Sequence, residues 1–306
     1  MYLSLYKIMA LSRQTIKTIS MPLAMVVGAL LCRPLAQLEA ASANMLTPML
    51  IASMLFLTFC RIDLREMHLR WIHLAMLAVQ IVGGVLVFVA LRPLFGEVVA
   101  QGAMMCVLAP IAMASVVIAA MLGANVAPMV TYSLICNLVT ALVVPPILHA
   151  FGNGTCTFVE IISRVAPTLI APFVVAQALR YTLSKVAQWF AAHSSYSFYL
   201  WLFSLILVMG RTTAFIIDTE ADLLVEIELA LLALVLCIAQ FRLGRYMGEK
   251  SGDRVAGAQS VGQKNTILAI WMSLNFLDPI SSIAPTAYIV WQNLVNSYQI
   301  YRKNLS

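Results

Sequence analysis

The sequence predicts an all-α polytopic membrane protein. Its 306 residues are 62% hydrophobic and only 10% charged, and the mean hydropathy of +0.92 lies far above that of a soluble domain of this length. Apolar runs of 17 or more residues recur from end to end, and each is long enough for a transmembrane helix. Because the stretches between them are short, we expect residues 1–306 to form a single membrane domain without a soluble domain.

Ten apolar segments are predicted to cross the membrane. The fourth and ninth are the least regular, and the first is predicted to be a retained span because it lacks a matched small-residue cleavage site. Residues 61–70, between the second and third segments, alternate charged and aliphatic side chains, which fits either a stretch on the inner membrane surface or a short connecting helix. The ten segments are residues 20–38, 44–60, 71–91, 99–121, 124–150, 158–182, 196–217, 223–244, 255–277 and 280–300.

The distribution of basic residues predicts that both termini are cytoplasmic. Fourteen of the nineteen Lys and Arg residues fall on one side of the ten segments and four on the other, and cytoplasmic loops carry such an excess. The net charge of +6 therefore reflects topology and does not indicate nucleic-acid binding. We expect a cell membrane location, with a bacterial inner membrane as the first choice. The cytoplasmic group is Lys7, Arg13, Lys17, Arg61, Arg65, Arg70, Arg180, Lys185, Arg242, Arg245, Lys250, Arg254, Arg302 and Lys303, and the opposite group is Arg33, Arg92, Arg164 and Arg211.

Ten spans divide into two halves of five, and the odd number makes any internal symmetry an inverted repeat. The fourth span carries Gly102 and Pro110, and its counterpart, the ninth, carries Gly257, Gly262 and a Gln-Lys-Asn centre at 263–265. Interrupted spans at matching positions of two halves indicate a transporter's binding site, because broken helices expose backbone groups at the midplane. We therefore expect breaks in the fourth and ninth helices.

Lys264 is the basic residue that belongs to neither side. In a continuous helix it would lie about 15 Å from Arg254 and about 21 Å from Asp278, near the centre of a hydrocarbon layer about 30 Å thick. An ionisable side chain at that depth is a functional-site candidate. The structural alternatives are snorkelling, for which a stem of about 6 Å is short, and an ion pair, for which no span offers an acidic residue at comparable depth. Without such a partner, burial favours the neutral lysine.

Uncharged polar residues also lie inside the predicted spans. The amide of Gln80 needs a partner inside the helix bundle, and a plain helix–helix hydrogen bond is the alternative to a functional role. Thr131 and Ser133 either bond back to their own helix or line a site, and Pro128 is expected to free a backbone carbonyl one turn earlier. The other candidates are Ser115, Asn125, Asn137, Ser260, Gln263 and Asn265.

The sequence contains no catalytic motif, so an enzyme is not predicted. The four histidines lie near span ends, and neither a Gly-rich phosphate loop nor a nucleophile motif is present. The six cysteines lack metal-ligand spacing and are expected to be buried as small apolar residues, so neither a metal nor a cofactor is predicted. Asn153-Gly-Thr155 fits a glycosylation sequon, a pattern that often arises by chance.

Four elements of the chain together form a recognisable pattern. They are Val261-Gly262 with Asn265 and Leu268-Ala269, which is similar to a Glu-x-Gly-x-Gln-Asn-x-x-Leu-Ala pattern, Gly123-Ala-Asn-Val-Ala127 at the start of the fifth span, Gln80 of the third span, and Val290-Trp291-Gln292-Asn293, which is similar to a Trp-His-Asn element. With these elements the chain resembles, over almost its whole length, the bile acid:sodium symporter family of ten-span, inverted-repeat carriers. The resemblance implies a core of helices, about 71–150 and 223–302, a panel of helices, about 20–60 and 158–217, and broken fourth and ninth helices that cross in the core.

In that family sodium binds at the crossover, but three ligand positions differ here. Ser260 replaces the family's glutamate, Lys264 its glutamine and Val116 the asparagine of the fourth span. Sodium requires oxygen ligands, so losing the carboxylate and gaining a cation predicts transport that is not driven by sodium. Lys264 would substitute for the ion or carry a coupled proton, donating to Gln80 and to carbonyls near Ser260. The predicted ion site, or its replacement, is Lys264, Gln80, Ser260, Val261, Gln263, Thr131 and Ser133.

The resemblance implies a small organic anion as substrate, bound between the crossover and the panel. Half-helix amino termini at the midplane, together with Lys264, would suit a carboxylate. A sodium symporter with a degenerate site, a cation/proton antiporter, which would need an aspartate at the midplane, and a receptor that binds without transporting stay as alternatives. A monomer in the lipid bilayer is one assembly that the sequence allows. The predicted substrate contacts are Asn265, Ser115, Lys264 and Asn125.

Overall fold

A computed structural model describes residues 20, 23–112, 114–152, 157–193, 196–218 and 222–305, and it confirms the all-α fold class. The basic residues of the first nineteen positions and the Asn153-Gly-Thr155 triplet lie outside the described residues. The α-helices are α1 (Leu23–Leu30), α2 (Cys32–Ala41), α3 (Leu46–Phe59), α4 (Trp71–Phe95), α5 (Glu97–Leu108), α6 (Ala114–Met121), α7 (Ala127–Phe151), α8 (Phe158–Thr182), α9 (Ser184–Ala192), α10 (Tyr196–Asp218), α11 (Leu223–Lys250), α12 (Arg254–Gly262), α13 (Thr266–Phe276) and α14 (Ile283–Leu305), with short 3-10 turns at Leu64–Glu66 and Pro279–Ser282.

Several helices are long and apolar enough to cross a membrane, as expected of a membrane protein. Among the described residues, α4, α7, α8, α10 and α11 pass this test individually, and α1 with α2 forms a sixth candidate that is bent by 78°. The first predicted span is therefore not straight. The helix α3 has 14 residues, about 21 Å, which is shorter than the hydrocarbon layer of about 30 Å.

The predicted interruptions of the fourth and ninth segments are present. Residues 109–113 separate α5 from α6, and residues 263–265 separate α12 from α13. Pro110 ends the first half-helix because proline cannot donate to the helical ladder and clashes with the preceding turn. In the second break Asn265 starts α13, since its side chain accepts a hydrogen bond from the backbone N–H of Leu268 at 3.3 Å.

Three local predictions need correction. Pro128 lies in the first turn of α7, where N–H groups have no partner inside the helix, so it frees no carbonyl. The segment 61–70 contains only the 3-10 turn, not a connecting α-helix. The predicted loop after the sixth span contains the nine-residue helix α9, whose Ala187 is buried against the bundle while Val186 and Trp189 are exposed.

Glycines let α11 and α12 pack at backbone contact. A Cβ placed on Gly257 would lie 2.5 Å from the Cα of Gly248 and 2.7 Å from its nitrogen, closer than a side chain tolerates. The turn between the helices uses Gly252 at φ +93°. Asp253 then caps α12, because its Oδ1 accepts from the N–H groups of Val255 and Ala256. This tight pair fixes where the second break falls.

Three buried apolar clusters meet at the broken helices, and the third joins α4, α6, α7 and α12 around Ile111. The first joins α3, α8 and α10 to α5 and α13, for example through Met54, Leu169 and Trp271. The second joins α5 and α11 to α12 and α14, for example through Cys106 and Ala258. The half-helix α5 belongs to the first and second clusters, so the break at its end lies between these two groups of helices.

Polar contacts join loops that the sequence assigns to the same side. Arg33 belongs to the basic group opposite the predicted cytoplasmic one, and it pairs at 2.6 Å with Asp218, which follows the seventh predicted segment. Arg180 pairs with Asp63 at 2.6 Å, and both were assigned to the inner side. The backbone N–H of Arg65 and the guanidinium of Arg180 hold the pKa of the Asp63 carboxyl below its ordinary value.

Candidate functional site

The two breaks pair with each other through their backbones. The N–H of Ala112 donates to the carbonyl of Gln263 at 2.9 Å, and the N–H of Asn265 donates to the carbonyl of Pro110 at 2.7 Å. These two bonds form an antiparallel bridge centred on Ile111 and Lys264. The bridge satisfies backbone groups that broken helices leave unpaired and holds four half-helix ends together in the interior.

Side chains from three other segments cap the carboxyl end of α5. Gln240 Nε2 donates to the Cys106 carbonyl at 3.2 Å, Lys264 Nζ to the Val107 carbonyl at 2.8 Å and Gln80 Nε2 to the Leu108 carbonyl at 2.8 Å. These are the last three carbonyls of α5. The end of a helix carries partial negative charge on these carbonyls, so an ammonium group there is electrostatically favourable. Lys264 supplies that positive charge.

Lys264 is 2% exposed, so it does not snorkel to an interface. Its backbone N–H donates to Gln292 Oε1 at 3.0 Å, which fixes the stem in the break. The expected bonds to Gln80 and to carbonyls near Ser260 are wrong. Gln80 Oε1 already accepts from other groups, and the lysine side chain crosses to α5 instead of folding back onto α12.

Gln80 and Gln240 form matching clusters on α4 and α11. The expectation that Gln80 finds a partner inside the bundle is confirmed, because besides its bond to α5 it accepts from the Tyr132 hydroxyl at 3.3 Å. Gln240 donates to the Tyr288 hydroxyl at 3.1 Å, which in turn donates to the last carbonyl of α12, Gly262, at 2.8 Å. Each cluster thus joins a glutamine and a tyrosine to a half-helix carboxyl end.

Sequence reasoning missed Gln240, Tyr288 and Gln292. The eighth span was expected to end at 244, which placed Gln240 near an interface, but α11 continues to Lys250 and Gln240 is 5% exposed. The signal was available, because Gln240 ends a long apolar run just as Gln80 lies within one. Gln292 appeared only as part of a motif and not as a hydrogen-bonding group.

The amino ends of the other two half-helices lie across the same breaks. Ser115, in the first turn of α6, is fully buried, and among the described residues its hydroxyl has no hydrogen-bond partner. Asn265 caps α13 and is 9% exposed. A buried polar group without a partner is costly, and contact of Ser115 with a substrate stays a prediction.

The remaining predicted site residues divide between the crossover and its surroundings. Ser260 and Val261 lie in the last turn of α12 and are buried beside the break. The amide oxygen of Gln263 accepts from Asn296 of α14 and so faces away from α5. The described His, Cys, Asp and Glu residues form no group of three that could hold a metal ion.

The three predicted residues of the fifth span lie on α7 and in the link before it. Thr131 is buried and its hydroxyl bonds back to the Ala127 carbonyl of its own helix at 3.4 Å, while Ser133 is buried on α7. Asn125 is exposed in the link before α7, where its backbone N–H donates to Asp253 at 2.7 Å. The structure does not bring Asn125 to the crossover, and its contact with a substrate stays a prediction.

Comparison with known families identifies one match. Residues 62–294 match the SBF-like CPA transporter family, which is similar to the bile acid:sodium symporters. The matched region runs from the link before α4 into α14 and therefore contains both breaks and all three capping side chains. No curated protein matches the chain.

Proposed function

The chain belongs to the SBF-like CPA transporter family, and from this premise we propose that it is a secondary transporter that moves a small organic anion by alternating access. The observation that supports the mechanism is the ammonium group of Lys264 on the carboxyl end of α5. It places a fixed positive charge where the resemblance implies a sodium site. We further propose that sodium does not drive transport.

The proposed architecture is ten spans in two inverted repeats. Half-helices α5 and α6 have 12 and 8 residues, and α12 and α13 have 9 and 11, so each broken pair is about 30 Å long and matches the hydrocarbon layer. The glutamine–tyrosine clusters support the repeat, because each lies on the helix before and the helix after one broken pair. With α3 and α14 as spans, the bent pair and the five long helices complete the set of ten.

The proposed division into core and panel uses the ranges that the resemblance implies. The panel would be α1 to α3 with α8 and α10, and the core would be α4 to α7 with α11 to α14. Their contact is largely apolar, through side chains such as Leu205 and Met272. An apolar contact can slide or tilt without breaking directed hydrogen bonds, so we propose that the core moves against the panel with the crossover kept intact.

Lys264 serves in this proposal as a built-in substitute for the coupling ion. A sodium ion at the crossover would need carbonyl or carboxylate oxygens. Here the Val107 carbonyl accepts from Lys264, and the residue one turn before Lys264 is Ser260 in place of an acid. The ammonium group either stays bound through the cycle or exchanges a proton as the site opens, which would make the transporter a proton-coupled one.

The amino ends of α6 and α13 are the proposed anion site. Helix amino ends carry partial positive charge and unpaired N–H groups, which bind carboxylates. The buried hydroxyl of Ser115 and the amide of Asn265 lie at these ends and are the proposed direct contacts. Because the ammonium of Lys264 donates to α5, its contribution to the anion is through the field of its charge and not through a hydrogen bond.

The test is substrate uptake by the purified protein in proteoliposomes. Uptake should persist when choline replaces sodium, and an imposed pH gradient should change its rate if Lys264 carries a proton. Lys264→Met should abolish uptake while the protein stays folded. Uptake that strictly requires sodium would refute the proposed coupling, and ligand binding without uptake under any gradient would identify a receptor instead.

A further inference from the structure

A polar cavity lies at the end of the panel, away from the crossover. Its volume is about 530 Å³, and it is formed by the link after α3, the carboxyl end of α8 and the helix α9. The charged residues that line it are three arginines and one carboxylate, with polar and aromatic groups beside them: Arg61, Arg65, Arg180, Asp63, Tyr181 and Ser184. Positive charge therefore exceeds negative charge in this cavity.

The arginines are held in place by specific contacts. Arg180 donates to Asp63 at 2.6 Å and to the Cys60 carbonyl at 3.4 Å, so its guanidinium is oriented while the single carboxylate is occupied. Arg65 lies over the ring of Tyr181, with 5.8 Å between guanidinium carbon and ring centre. Arg61 and Arg65 are exposed, so their charge is available to a ligand that enters from the surface.

Exposed residues of the kinds that are typical of the lipid headgroup region surround this cavity. Leu183 and Trp189 are each 56% exposed on and beside α9, and Tyr181 is equally exposed at the end of α8. Trp and Tyr concentrate at the boundary between hydrocarbon and water, and exposed apolar residues on a short amphipathic helix insert into that boundary. The cavity thus opens beside a surface that contacts lipid.

We propose that this cavity binds the phosphate of an anionic phospholipid. Arg61 and Arg65 are the phosphate contacts, and Arg180 supplies a third guanidinium whose orientation is fixed. Arginine pairs with phosphate through two parallel hydrogen bonds, and basic pockets between transmembrane helices bind anionic headgroups. The acyl chains would lie along the exposed face of α9. A bound lipid would anchor the panel while the core moves.

The experiment compares wild type with Arg61→Gln/Arg65→Gln in nanodiscs of phosphatidylcholine, with and without phosphatidylglycerol. The matched control is Arg242→Gln/Arg245→Gln, which removes the same charge from exposed positions of α11 on the same predicted side. Phosphatidylglycerol should raise the melting temperature of wild type and control by about 3 °C or more, and the cavity variant should lose at least half of that shift. Equal shifts in all three proteins would overturn the proposal.

Two further measurements separate lipid from other anions and from misfolding. Native mass spectrometry of the detergent-purified proteins should show phosphatidylglycerol retained by wild type and by Arg242→Gln/Arg245→Gln but depleted in the cavity variant. Inorganic phosphate added in a neutral detergent should stabilise wild type by less than the lipid does. Stabilisation by phosphate alone that equals the lipid effect would refute the assignment to a phospholipid. Arg61→Gln alone, at an exposed position, gives the same comparison if the double variant is poorly expressed.

Discussion

Replacing Lys264 and Gln80 separately by methionine tests the electrostatic account of the crossover. Both side chains donate at 2.8 Å to neighbouring carbonyls of α5, on Val107 and Leu108. Methionine approximates the length of both side chains and removes the donor. Each variant therefore deletes one such donor. Gln80→Met also removes the acceptor of the Tyr132 hydroxyl and of the Cys136 thiol, whereas Lys264→Met also removes a buried charge.

The two expected losses differ. Gln80→Met leaves the Leu108 carbonyl and the Tyr132 hydroxyl buried and unpaired, and such groups cost about 1–3 kcal/mol each, so about 2–6 kcal/mol is expected in all. Lys264→Met leaves one carbonyl unpaired and removes a helix-end interaction of up to about 2 kcal/mol. It also removes the desolvation penalty of an ammonium group, which is several kcal/mol. These terms nearly cancel, so Lys264→Met should stay within about 1 kcal/mol of wild type.

Thermal unfolding of the purified proteins in one detergent measures this difference. At about 2 °C per kcal/mol for a chain of this size, Gln80→Met should melt about 4 °C or more below wild type, and Lys264→Met within about 2 °C of it. Uptake should fail in the lysine variant although it is folded, since the charge is retained for function. If Lys264→Met melts well below Gln80→Met, the ammonium group is a net source of stability and the reasoning is wrong.

Three other predictions concern packing, pH and coupling. Gly257→Ala should lower stability by about 3 kcal/mol, because the new Cβ meets the backbone of α11, whereas Gly83→Ala, whose Cβ would lie 3.7 Å from its nearest neighbour, should be neutral or stabilising in a melting assay. Asp63 has a lowered pKa, so its contribution is full above its ordinary pKa and is lost as the pH falls through the lowered one; the melting difference between wild type and Asp63→Asn should shrink over that acidic range and stay constant above it. Ser260→Glu combined with Lys264→Gln restores two of the three family residues that differ here and should make uptake and melting temperature respond to sodium, which choline should not reproduce.

Much of the fold could be predicted because membrane helices are governed by length and hydropathy. The interruption at Pro110 and the cap at Asn265 follow from backbone chemistry that the sequence displays directly. The bend at Leu31 and the helix α9 did not follow, because they depend on packing. Gly28 approaches the Ile206 carbonyl and allows α1 to lie close against α10, and no pattern within residues 20–38 alone indicates that partner.

Only the donor side chains of the candidate site could be predicted from the sequence, and their acceptors could not. The depth of Lys264 in an apolar segment marked it, and the same signal marked Gln80. Their partners are backbone carbonyls of α5, which every residue possesses, so no sequence pattern could identify Val107 as the acceptor. The expected bond to Gln80 failed for a related reason: the amide oxygen has two lone pairs, and the Tyr132 hydroxyl and the Cys136 thiol of α7 donate to them.

The half-helix ends at the crossover differ in whether their polar groups have hydrogen-bond partners. This difference supports the proposal that the transported species is an anion. The two carboxyl ends are capped by donors, with Lys264 among those on α5 and Tyr288 on α12. A sodium ion would compete for those same carbonyl oxygens. At the amino end of α6, by contrast, Ser115 stays buried without a hydrogen-bond partner among the described residues. Carboxyl ends that are already neutralised, together with an amino end that retains an unused polar group, support our proposal of a negatively charged substrate.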